Sequence, residues 1–292
     1  MSLSFENYKE QSERKGSPKR LVLALEMLEK FVASKIETKG RENLDKISKG
    51  KRVIIACSHI SDMDMGMAAY ALRNDFDLLI THQSVQTLFA EPGIALAMKM
   101  AGKDNFLPID WRRSNDGKQG KVNPNNFIEI AKSVERSGKT PLVAAHNPSK
   151  KWQLEKGGYG AVMLAQYEED AIILPVGVNV MSENPVGMAE SRIKTLKQKP
   201  EVEVVIGEPF ELPKIEGIDE LRLFIDKRRQ KIPLSPTERK RFTELHRSLE
   251  EKSSLIMERL AQCVPEEKRG IYRKESAGEA KKIINNPSSV KS

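Results

Sequence analysis

The chain has 292 residues, 39% of them hydrophobic and 31% charged, which suffices to build one large α/β domain, with or without helical additions, and excludes a wholly disordered chain. Its two cysteines, Cys57 and Cys263, lie far apart, which argues against a disulfide framework or a cysteine zinc site and suits a reducing compartment. A net charge of +8 and a pI of about 9.3 fit anionic lipid, phosphorylated metabolites or nucleic acid, but aromatics at 5% form no stacking series and no nucleic-acid module is recognisable, so nucleic acid ranks last.

Residues 1–17 are polar and unlike a secretory signal, and no stretch is apolar for long enough to span a bilayer. The expected location is the cytoplasm, free or peripheral on the inner face of a membrane. From Leu21 to Ile36, Leu21, Leu25, Leu28 and Val32 share one helical face, widened by Ala24, Phe31 and Ile36. This amphipathic helix either packs on the domain or rests on a membrane surface.

From Arg52, short β-rich runs alternate with helical ones. The expected strands are 53–57, 76–81, 106–110, 141–145, 172–180 and 202–206, with helices near 63–73, 91–101, 125–137 and 158–169. That alternation predicts an α/β fold with a mostly parallel central sheet flanked by helices. Chemistry then belongs in the loops at the carboxyl ends of the strands. Beyond Pro213, 217–231 reads as one helix. Ser235-Pro236-Thr237-Glu238 reads as a capping box opening another, with Phe242, Leu245, Leu249, Ile256 and Leu260 on one face. The expected organisation is a polar tail and amphipathic helix over 1–40, an α/β domain over 41–213, a helical extension over 214–269 and a disordered tail over 270–292.

The run Val53–Cys57 reads as a buried strand leading into Ser58-His59-Ile60-Ser61-Asp62-Met63-Asp64 and a helical stretch. A carboxylate in the first turn of that helix is placed to turn back to the His59 imidazole, fix its tautomer and leave the other ring nitrogen as a base. On spacing alone, which is a weak signal, Asp62 and Asp64 as helix caps and His59 as a satisfied loop histidine are the preferred readings. His82, His146 and His246 show no metal-ligand spacing with His59, so no metal is expected.

Together with three segments further along the chain, these residues resemble the glycerol-3-phosphate and 1-acylglycerol-3-phosphate (lysophospholipid) acyltransferase family. Its first block, Asn-His-x-Ser-x-x-Asp, matches at His59, Ser61 and Asp64, with Ser58 in place of the Asn. Its second block, ending Ile-Asp-Arg, is similar to Phe106–Arg113, where Trp111 separates Ile109-Asp110 from Arg112 and Arg113. The third, Phe-Pro-Glu-Gly-Thr-Arg-Ser, is altered: His146 and Asn147 stand where the family has Glu and Gly, and Lys150 or Lys151 keeps the positive charge. The fourth, an apolar strand with Val-Pro-Val, resembles Ile172–Val178 with its Leu174-Pro175-Val176.

The resemblance spans about residues 50–210 and implies a definite chemistry. His59, oriented by Asp64, deprotonates a hydroxyl of a phosphorylated glycerol or lysolipid acceptor. The alkoxide attacks an acyl thioester carried on coenzyme A or acyl carrier protein. Ser61, Arg112, Arg113, His146, Asn147, Lys150 and Lys151 bind substrate, amides at the start of the helix after His59 steady the oxyanion, and no cofactor is needed beyond the donor. The alternative is a degenerate member that binds lipid or acyl carrier without turnover.

Overall fold

The computed structural model describes residues 16–61, 63–82, 99–108, 131, 132, 134–147, 149, 151–168, 170–181 and 199–273. The strands are β1 (Lys35–Lys39), β2 (Arg52–Cys57), β3 (Leu78–His82), β4 (Phe106–Pro108), β5 (Thr140–Ala144), β6 (Ala171–Met181), β7 (Glu201–Ile206) and β8 (Phe210–Glu211). They form one sheet in the order β1-β7-β6-β2-β5-β3-β4, with β8 beside β6. β6, β2, β5, β3 and β4 run parallel, β7 and β8 run antiparallel to β6, and β1 runs parallel to β7. The fold is therefore α/β with a mostly parallel sheet, as the alternation of elements predicts.

The pattern of each strand states its place. β6 is buried from Ala171 to Val180, an apolar run covered on both faces, whereas β7 alternates between exposed or half-buried glutamates and buried valines. One face carries α1 (Lys19–Val32) and α2 (Asp64–Leu72), whose Leu21, Leu25, Met67 and Leu72 meet Val53, Ile55 and Leu174. The other carries α3 (Gly160–Tyr167), α4 (Ile218–Arg229) and α5 (Pro236–Ala261), whose Val162, Leu221, Leu245 and Leu260 meet Ile54, Ala56 and Ile173. Each fully buried aliphatic side chain contributes about 1.5–3 kcal/mol. The C-terminal helices thus share one core with the sheet.

One expectation is corrected, and one pair of alternatives is decided. The first helix ends at Val32, not Ile36: Ala33 is extended, and Ile36 pairs with Val202 in β1. Half-buried Ile36 and Thr38 alternate with exposed Lys35, Glu37 and Lys39, a strand period that overrides the weak helical spacing. The apolar face of α1 is also committed to packing, with Leu21, Ala24, Leu25 and Val32 all buried, so that face is not free to lie on a bilayer. Among the described residues no helix is long and apolar enough to cross a membrane. Of the helices expected near 91–101 and 125–137, residues 99–101, 131, 132 and 134–137 are helical, and the rest fall outside the described residues. α5 begins as the capping box predicts, Ser235 Oγ accepting from the Glu238 amide and the Glu238 carboxylate accepting from the Ser235 amide.

Candidate active site

β2 ends at Cys57, paired with Ala144 of β5 on one side and Val176 of β6 on the other. β6 continues to Met181, so its last stretch, Gly177–Met181, runs past the end of β2. The turn 58–64 therefore sits between the exit of β5 and the overhang of β6, at the carboxyl ends of three parallel strands. Ser58 sews it to β6: its amide donates to the Val176 carbonyl (3.0 Å), and its hydroxyl accepts from the Val178 amide (2.9 Å).

Asp64 opens α2 and is fully buried. Its carboxylate accepts from the Ser58 hydroxyl (3.1 Å), the Ile60 amide (2.7 Å) and the Ser61 hydroxyl. Burial pushes its pKa up to about 6, against the pull of those donors and of the His59 charge. Three donors on one carboxylate explain why sequence places Ser at 58 and 61. They also turn the Ser61 hydroxyl toward Asp64.

His59 Nδ1 lies 3.2 Å from the Ser61 carbonyl oxygen. A carbonyl only accepts, so this bond requires the proton on Nδ1 and leaves the Nε2 lone pair available. The expected ring–carboxylate bond is thus replaced: the turn offers Nδ1 a backbone acceptor, and Asp64 is already filled by neighbouring donors. Asp64 acts on the imidazole through its charge.

The backbone of His59 is pinned from both sides. Its amide donates to His146 Nε2 (3.0 Å), and its carbonyl accepts from the Ser149 amide (3.0 Å). His146 follows β5, is 2% exposed, and donates from Nδ1 to the Asn147 carbonyl (2.7 Å). Burial pushes its pKa down to about 4, so the ring is neutral at physiological pH, as an acceptor at Nε2 must be. Both ring nitrogens are used within the protein, so His146 supports the backbone of His59.

Asn147 and Lys151 are exposed beside this turn, where a ligand can reach them. Arg112, Arg113 and Lys150 lie outside the described residues. Ser149, which no motif marks, organises the approach to Lys151: its hydroxyl accepts from the Lys151 and Gln153 amides (3.1 and 3.2 Å). Its signal in the sequence is faint, a serine between proline and lysine. The amides expected to steady an oxyanion are largely taken, since those of His59, Ile60, Met63 and Asp64 all have protein acceptors. Cys57 is fully buried and burial pushes its thiol pKa well up, so it is no nucleophile despite standing two residues from His59.

No protein-family model and no curated protein matches the chain. Among solved structures it is similar to the crystal structure of the 1-acyl-sn-glycerophosphate (LPA) acyltransferase, PlsC, from Thermotoga maritima. Identity is 14%, the match covers 74% of this chain and 80% of that chain, and the TM-score is 0.43. A similarity this distant assigns no reaction.

Proposed function

We propose that this chain is an acyltransferase that moves a fatty acyl group from an acyl thioester to a hydroxyl of a glycerophosphate or lysophospholipid-type acceptor. The observation that carries the reading is the contact of His59 Nδ1 with the Ser61 carbonyl, which holds the ring as a base at Nε2 in a turn matching the family's first block. Nε2 takes the acceptor's hydroxyl proton as the oxygen attacks the thioester carbonyl. The tetrahedral intermediate expels the thiolate, which takes the proton back from the imidazolium, so an ester and a free thiol leave. General-base assistance of this kind contributes about 10²–10⁴-fold. The Ser61 carbonyl and the Asp64 charge stabilise the imidazolium while it exists. The donor is coenzyme A- or acyl carrier protein-linked, and neither a metal nor a redox cofactor has a role. Exposed Lys151 and Asn147, with Arg112, Arg113 and Lys150, are the residues assigned to the acceptor. The chain works in the cytoplasm or on the inner face of a membrane.

A second reading, lipid or acyl-carrier binding without turnover, is favoured by one observation: where the family carries a Glu, this chain has a buried neutral His146. One experiment separates the two. The chain is mixed with acyl-CoA or acyl carrier protein and a panel of lysolipid and glycerophosphate acceptors, and free thiol is measured beside His59→Ala. Transfer predicts thiol release at least about 10²-fold above the variant, with circular dichroism unchanged. Release equal to that of the variant with every acceptor would falsify the enzyme reading and leave the binding one.

A further inference from the structure

The segment after α5 returns to the site. Cys263 lies so close over β6 that a Cβ on Gly177 would collide with the Cys263 carbonyl. The chain then runs to a short 3₁₀ turn, Glu266–Lys268. The Lys268 carbonyl accepts from the Leu154 amide (2.7 Å), which ties this segment to the loop that carries Lys151. The Lys268 ammonium reaches the overhang of β6, where it donates to the Asn179 side-chain oxygen and to the Val180 carbonyl (3.0 Å).

Both acceptors are neutral. Among the described residues no carboxylate forms an ion pair with Lys268, and burial lowers its pKa while the charges of Asp64 and Glu267 oppose that shift. An ammonium has three donors, two of which are used. At the overhang of β6, then, stands a part-buried cation whose negative neighbours, Asp64 and Glu267, act on it through space without an ion pair, and which among the described residues has a donor to spare. A half-desolvated charge is costly without an anionic partner.

We infer that Lys268 is an anion-holding residue of the active site, delivered by the C-terminal segment to bind a phosphate ester of one of the two substrates. The inference rests on the acyl-transfer reading and deepens it. A bare phosphate on the acceptor and the phosphates of coenzyme A share this chemistry. No signal in the sequence points here: Glu266-Glu267-Lys268-Arg269 reads as a solvated charge run.

Calorimetric titration of the full chain with inorganic phosphate, sn-glycerol 3-phosphate, coenzyme A and neutral glycerol tests it. The expected result is binding of phosphate esters but not of glycerol, weakened about tenfold or more in Lys268→Met and kept within about threefold in Lys268→Arg. Preference for glycerol 3-phosphate assigns the site to the acceptor, and preference for coenzyme A to the donor. Asn179→Asp, which sets a carboxylate on the ammonium without removing it, must weaken binding as Lys268→Met does, and it serves if Lys268→Met does not fold. Unchanged affinity in Asn179→Asp, equal loss in the Arg and Met variants, or no binding by the wild-type chain overturns the inference. Phosphate binding lost in Asn179→Asp with no thiol release by the wild type would leave the subsite standing and remove the transfer reaction. Thiol release with no phosphate binding would do the reverse.

Discussion

Asp64 and His146 both flank His59 and titrate in opposite senses. Asp64 is raised to about 6 from 3.8, so between those values the native chain holds a proton that the unfolded chain has released, and stability falls as pH rises through that window. His146 is lowered to about 4 from 6.5, so there the unfolded chain holds the extra proton, and stability falls as pH drops. Each effect is worth about 3 kcal/mol, and they nearly cancel. Asp64→Asn should uncover the histidine. Its unfolding free energy relative to wild type should climb by about 3 kcal/mol between pH 4 and 6.5, read from urea melts at several pH values. A difference that does not change with pH would show that Asp64 titrates normally. The spacing His59-x-Ser61-x-x-Asp64 is enough to name the residues of this turn. It cannot say that Nδ1 chooses a carbonyl over the carboxylate, because that depends on the backbone path of the turn and on donors competing for Asp64. Nor can it show that His146 faces inward, since burial there comes from strands distant in sequence.

Elements set by neighbouring residues are the most legible. The capping box of α5 lies within Ser235–Glu238, and Ser235→Ala should cost about 1 kcal/mol in a urea melt while leaving thiol release untouched. β1 is hidden because its five residues carry only Ile36 and Thr38 as β-branched side chains, and its partner, Glu201–Val205 of β7, lies far along the chain. β8, two residues long, gives no period at all. Close packing between elements is likewise invisible in one dimension. Gly177 reads as an ordinary residue of an apolar strand, yet it lets the Cys263 carbonyl lie against β6. Gly177→Ala should push the C-terminal segment outward, costing about 1–3 kcal/mol and weakening phosphate-ester binding, which the same melts and titrations would register.

For the molecule as a whole, the alternation of strands and helices indicates a mostly parallel sheet, and the apolar run of β6 marks it as an inner strand. The reversal of β7 and the strand order do not follow, since neither leaves a local trace. The buried face of α1 changes what a deletion would report. Removing residues 1–38 takes away α1 and nearly all of β1 and strips cover from Val202 and Val204. The expected outcome is loss of the cooperative urea transition; a stably folded product with altered vesicle binding would contradict this packing. The order of strands also bears on how the protein is made. β2 can pair with β5 once residue 144 has left the ribosome, but its other edge waits for β6, and the Lys268 contact waits longer still. Such distant pairings fold slowly and expose strand edges meanwhile. A translation product interrupted before Lys268 would carry His59, Ser61 and Asp64 and lack the cation beside them, so this arrangement delays the completed site until synthesis has passed residue 268.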